Sequence, residues 1–184
     1  MSFIDEAQSA ARGVIAVLFG QRTASGYFSF TQQGLVSSFI AMLLMTAVEL
    51  VAGSALGATG SIASAALQTA LVYVLLMASS ALFFSMIGRQ DALRPYIVTI
   101  NWSNAVFAIV LLLLTALAPA IAGLVALAAG LVMAINIGRL ITALRPLHIF
   151  LLMVMQAVGM VVAVLLILII FPLTPEQVAA LTAG

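Results

Sequence analysis

From Gly34 onward the chain alternates long apolar runs with very short polar breaks. A bilayer core takes roughly 20 apolar residues per helical span. The pattern predicts five spans, over 35–56, 62–87, 97–117, 121–143 and 149–171. Residues 105–135 are nearly unbroken apolar and, at 1.5 Å per residue, would run about 46 Å, too long for a single crossing. Pro119, between Ala118 and Ala120, is the natural place to divide them.

Ahead of the spans, Phe3, Ala7, Ala10, Val14 and Leu18 recur at helical spacing, while Asp5, Ser9 and Arg12 take the other face. Ser2 with Asp5 fits a capped helix start and Gly20 fits its end. The acidic start and the short apolar run from Val14 to Phe19 do not fit a cleaved signal peptide. An amphipathic helix joined to membrane spans is expected to lie in the interface. Tyr27, Phe28 and Phe30, set among polar residues, suit headgroup depth. The expected fold is therefore an all-α integral membrane bundle. Residues 1–33 form an interfacial helix and aromatic linker, 34–172 a five-helix transmembrane domain, and 173–184 a short tail. Within that tail Thr174-Pro175-Glu176-Gln177 is a well-formed start for a surface helix.

Composition excludes several classes of chemistry. Of 184 residues 65% are hydrophobic and 6% charged, against about 25% charged in a soluble domain. A net charge of +1 with no Lys cannot build a field for nucleic acid. There is no Cys, and His148 is the one histidine, so no disulfide, thiol nucleophile, structural zinc or bis-His haem is expected, and no cofactor or metal. The nine Met residues serve as apolar filling. An intramembrane hydrolase needs a nucleophile with a base, or two carboxylates. One deep acid, Glu49, and one boundary His do not supply either, so a non-catalytic protein is expected.

The six positive charges are all Arg: Arg12 and Arg22 before the first span, Arg89 and Arg94 between the second and third, Arg139 and Arg145 at the fourth-to-fifth connection. With five spans these places share one face, and the opposite face has none. The positive-inside rule then puts the N-terminus in the cytoplasm and the C-terminus outside. Arg89, Arg94, Arg145 and Trp102 are expected as headgroup anchors, as are Tyr96 and Tyr27, and His148 as a headgroup-level residue. Two of these connections also resemble each other. Gly88-Arg89 is followed by Ala92-Leu93-Arg94-Pro95, and Gly138-Arg139 by Ala143-Leu144-Arg145-Pro146. The match is compatible with a duplicated hairpin in parallel orientation and equally with ordinary helix punctuation.

The fourth span carries small residues every four positions: Ala118, Ala122, Ala126, Gly130, Ala134 and Gly138. Lipid supplies no hydrophobic drive for helix association, so close approach over small residues is a main source of contact energy. This span is expected to be central in the bundle or to face a partner. Gly53 with Gly57 gives a shorter example in the first span.

Polar groups at membrane depth are the default functional candidates, because each costs energy unless paired. Glu49 and Gln68 lie at similar depth in neighbouring spans and can share a hydrogen bond. Glu49, with Thr46 and Gly53 along one stripe, reads either as a proton or cation site or as a tie between the first two helices. A second layer comprises Asn101, Ser103, Asn104, Asn136, Arg139 and Gln156. It reads as an interhelical amide network, or as a polar cavity in which Arg139 selects an anionic group.

The span pattern over about 34–172, with an N-terminal cytoplasmic segment and tiny loops, resembles the Yip1-like membrane proteins, especially small bacterial inner-membrane members without assigned activity. The motifs that mark eukaryotic Yip proteins are absent, so binding of small GTPases is not implied. Two functions follow as expectations. One is an organising, assembly or accessory subunit in the bilayer, packing against a membrane-protein partner or a second copy. The other is a small transporter or channel using Glu49 or the Asn136/Arg139 layer.

Overall fold

The computed structural model describes residues 2–55 and 61–172. Six α-helices account for them, with no strand among the described residues: α1 Phe3–Leu18, α2 Gln32–Ala55, α3 Ile62–Met86, α4 Leu93–Leu117, α5 Pro119–Asn136 and α6 Pro146–Ile170. A wide π-turn, Ile137–Ile141, prolongs α5, and short 3-10 turns lie at Ala24–Tyr27 and Gln90–Ala92. Five of the helices are long and apolar enough to cross a membrane, so this is a multi-pass membrane protein. The expected Gly53/Gly57 contact and the tail helix from Thr174 involve positions outside the described residues.

Each helix starts where local chemistry favours it. Ser2 and Asp5 form a reciprocal capping box on α1, and the Ser2 hydroxyl and backbone N–H hold the Asp5 carboxyl below its ordinary range. Ser61 caps α3 through its side chain. Pro119 and Pro146 occupy the first turns of α5 and α6, where a missing N–H costs nothing. The near-continuous apolar stretch is thus divided at Ala118, whose extended backbone separates α4 from α5.

The principal partnerships are not between sequence neighbours. α2 packs along α4, and α3 along α6, while the α3–α4 and α5–α6 contacts are slight. Small residues explain the choice. On α2, Gly34, Ser38 and Ala41 are buried, letting two backbones approach closely. On α6 the buried positions Ile149, Leu152, Gly159 and Ala163, with Gln156 between them, step by three and four residues, a single packing stripe. A Cβ built on Gly159 would lie 2.3 Å from Ser79 Oγ and 3.4 Å from the Leu75 carbonyl oxygen of α3.

α4 is the central helix, buried at Tyr96, Val98, Thr99, Asn101, Trp102, Ser103, Ala105 and Ala108. Of the two places expected for the fourth span, central or facing a partner, the central one is taken by α4 instead. Along the α5 seam only Ala122 and Gly138 are buried, Gly138 against Ile149, while a Cβ on Gly130 would meet nothing within 4 Å. The reason is that α4 has the bulky apolar and amide groups that must be covered, and α5 reaches it over a short contact only.

Burial is also uneven along the bundle axis. The buried positions of α2 all lie in its first half, at 34–42, and those of α3 in its last turns, at 80–84. The bundle is tight at the Arg-bearing end and splays toward the other. At the tight end Arg89 Nη2 donates to the Thr142 carbonyl at 3.2 Å, while its Nε pairs with Asp91 Oδ1 at 3.2 Å. The two similar connections thus touch, but they do not share a shape. Ala92 is right-handed helical and leads straight into α4, whereas Ala143 has φ of +49° and breaks the chain before α6.

The close α3–α6 approach generates a first expectation. Gly159→Val should lower stability by about 1–3 kcal/mol through overpacking, read as a fall in the thermal or denaturant midpoint of the purified protein. Gly130→Leu should leave that midpoint unchanged.

Candidate functional site

The splay between α2, α3 and α4 opens a cleft of about 650 Å³. Its walls are mostly apolar, including Phe39, Leu43, Val74 and Phe107, and its polar groups are Thr46, Glu49, Tyr73 and Asn104. That size and that lining, apolar walls with a few convergent polar groups, match the usual small-molecule site. Glu49 lines the cleft and stays exposed. Gln68 does not line it, and no hydrogen bond joins the two side chains. The expected Glu49–Gln68 tie is therefore not formed, because α2 and α3 diverge at this level instead of packing.

Asn101 closes the base of this region. It is fully buried on α4; its Nδ2 donates to Ser38 Oγ of α2 at 3.2 Å, and its Oδ1 accepts from the Tyr73 hydroxyl of α3 at 2.8 Å. One amide thus joins three helices. Asn104, one turn on, is exposed and faces the cleft. Gln156 performs the matching task on α6, where Nε2 donates to Ser80 Oγ of α3 at 3.2 Å and to the Tyr96 hydroxyl of α4. Asn101 and Gln156 therefore fulfil the amide-network expectation, while Asn104 is left to the cleft.

Asn136 and Arg139 do something the sequence did not suggest. Asn136 Nδ2 donates to the Val17 carbonyl at 2.8 Å, with Leu18 at 3.4 Å. These are last-turn carbonyls of α1, beyond the regular helical ladder, and Val17 accepts from the Gly20 N–H as well, so Asn136 helps to cap that helix from 119 residues away. Arg139 Nη2 in turn donates to Asn136 Oδ1 at 3.4 Å. α1 is thereby seated on α4 and α5, burying Glu6, Ala10, Gly13, Val14, Ala16 and Val17. The helix expected at the interface thus has most of its apolar face covered by the protein's own segments. Phe3, Ile4, Ile15 and Phe19 remain exposed around it.

The same docking corrects the expected headgroup anchors on α4. Trp102 is 3% exposed, with the Phe3 ring 6.0 Å away, because α1 lies over it. Tyr96 is equally buried, beside Phe84 and bonded by Gln156. Arg94 and Arg145 are exposed at the polar end as expected, whereas Arg89 spends its guanidinium on Asp91 and Thr142. Sequence reasoning also missed Glu6, a buried acid whose Oε1 has no hydrogen-bond partner among the described residues. Its spacing of four from Ala10 and eight from Val14 is the signal that could have found it.

No family model matches the chain, and neither the curated proteins nor the solved structures contain a significant match. The structural assignment of α1 is open to a direct check. Asn136→Ala should raise amide hydrogen exchange over residues 3–19 while exchange in α3 and α6 is unchanged. Equal protection of α1 in both proteins would show that Asn136 does not hold it.

Proposed function

We propose that this chain is a non-catalytic integral membrane protein that organises or accompanies a membrane partner, or a second copy of itself, through the α5 face. The observation that carries the proposal is the unfilled middle of the α5 seam. Ala122 and Gly138, on either side of it, are buried within the fold, while Gly130 has no neighbour among the described residues within 4 Å of a built Cβ. Ala126, Gly130 and Ala134 line an open groove of about 320 Å³ with Met153 and Gln156 of α6. In lipid such a surface gains contact energy only from another helix that approaches as closely. The clustering of Arg12, Arg22, Arg89, Arg94, Arg139 and Arg145 around α1 and the adjoining connections supports an inner-membrane protein with that end in the cytoplasm. The Yip1-like resemblance is of the same span pattern and assigns no activity.

In lipid nanodiscs, single-molecule step counting, or gentle extraction that recovers a defined complex, should show association that Gly130→Leu abolishes at unchanged melting temperature. Ala128→Leu, exposed two residues away on another side of α5, should leave association intact. A protein that is monomeric and unaccompanied without either substitution overturns the proposal.

The Glu49 cleft favours a second reading, a small transporter for a lipophilic cation. Its apolar walls suit such a molecule's body and the carboxylate its charge. Under that reading, proteoliposome uptake of tetraphenylphosphonium falls to the protein-free background in Glu49→Gln. Uptake that is equal in both proteins, or no greater than in empty liposomes, removes it.

A further inference from the structure

A second cleft, of about 460 Å³, lies at the Arg-bearing end, walled by Gly20, Arg22, Arg139 and Leu140. It is unlike the first in kind: two Arg residues line one small space. The single ion pair among the described residues is Arg89–Asp91, so neither of these two cations has a carboxylate partner there. Like charges sharing a site repel, and an anion between them converts that cost into two charge-assisted contacts.

The fold holds this arrangement in place. Asn136, already bonded to the end of α1, orients Arg139 through its Oδ1. The π-turn Ile137–Ile141 carries Arg139 out of the regular α5 helix, and such wide turns recur at functional sites. Gly20 has φ of +68°, and a Cβ there would come within 3.3 Å of Arg139 Nη2. A side chain at this position would be strained and would crowd the guanidinium. Arg22 follows two residues later on the exposed linker. Two segments distant in sequence, 20–22 and 136–140, therefore combine to bring together two guanidinium-bearing residues, the planar donor type that suits phosphate.

We infer that the Gly20/Arg22/Arg139 cleft binds a phosphate-bearing anion at the membrane surface. Phe19 and Leu147 are largely exposed at the same end, so the phosphate can belong to an anionic lipid headgroup or to a soluble molecule. The inference is independent of association through α5, because none of these residues lies in the Gly130 groove.

The test titrates the full-length protein in phosphate-free dodecyl maltoside with phosphatidylglycerol in one arm and inorganic phosphate in the other, read by native mass spectrometry and thermal shift. Each Arg near the surface contributes roughly fivefold to anion affinity, so Arg22→Gln/Arg139→Gln should bind roughly thirty-fold more weakly. The control Arg12→Gln removes an exposed positive charge that does not line the cleft and should bind as the unmodified protein does. Loss in either arm supports the site, and the arm that responds identifies the source of the phosphate. The inference is overturned if neither arm shows binding, if the double variant binds normally, or if the control loses as much. Should the double variant fail to fold, Arg22→Gln alone, on the exposed linker, should still bind roughly fivefold more weakly, and unchanged binding there overturns the inference.

Discussion

The bundle depends on one buried amide. In a helix dissolved in lipid, a polar side chain can be satisfied only by another part of the protein. Asn101 meets that constraint by joining α2, α3 and α4 at one point. Individually such bonds contribute only about 0.6 kcal/mol, yet they decide which faces meet, because the alternatives leave the amide unpaired. Gln156 repeats the solution between α6, α3 and α4. The non-sequential pairing of α2 with α4 and α3 with α6 follows from these two groups and from the small residues that allow close approach around them.

The position of these ties explains the shape. Ser38, Ser80, Tyr96 and Asn101 lie in the Arg-bearing part of their helices, and burial is concentrated there. Beyond Asn101 nothing polar draws α2 and α3 together, so they part and leave the Glu49 cleft. The cleft is the structural complement of the tie: the helices are pinned at one end, and the unpinned end opens. α5, which carries no amide into the centre of the spans, stays at the edge, and its small residues are left facing outward.

Much of this was legible in the sequence. The five spans, the proline starts of α5 and α6, the capped α1 and the identity of the polar groups all follow from local chemistry. Helix bounds differ from the expected ones by a few residues, most at α5, which ends at Asn136 where the π-turn takes over; α4 begins early, at Leu93, because Pro95 fits within its first turn. What was not legible is which apolar face meets which. The periodic seam on α5 was the strongest pattern in the sequence and proved less buried than the irregular set Gly34, Ser38 and Ala41 on α2. Periodicity reports that a helix can approach another closely. It does not report whether another helix of the same chain is there. Trp102 and Tyr96 were misplaced for a related reason, since an aromatic residue near a span end is at the headgroups only if no other segment covers it.

The seating of α1 also imposes an order of assembly. α1 is the first helix to be made, yet the group that caps its end, Asn136, is made 119 residues after Val17. Until α4 and α5 are made, much of its apolar face has no helix to rest on, and an amphipathic helix in that condition shelters at the bilayer surface. Docking is therefore complete only on a chain that has reached the end of α5. The N-terminal helix serves as a latch that closes once α5 is in place, so its protection is a signature that the chain has been inserted that far.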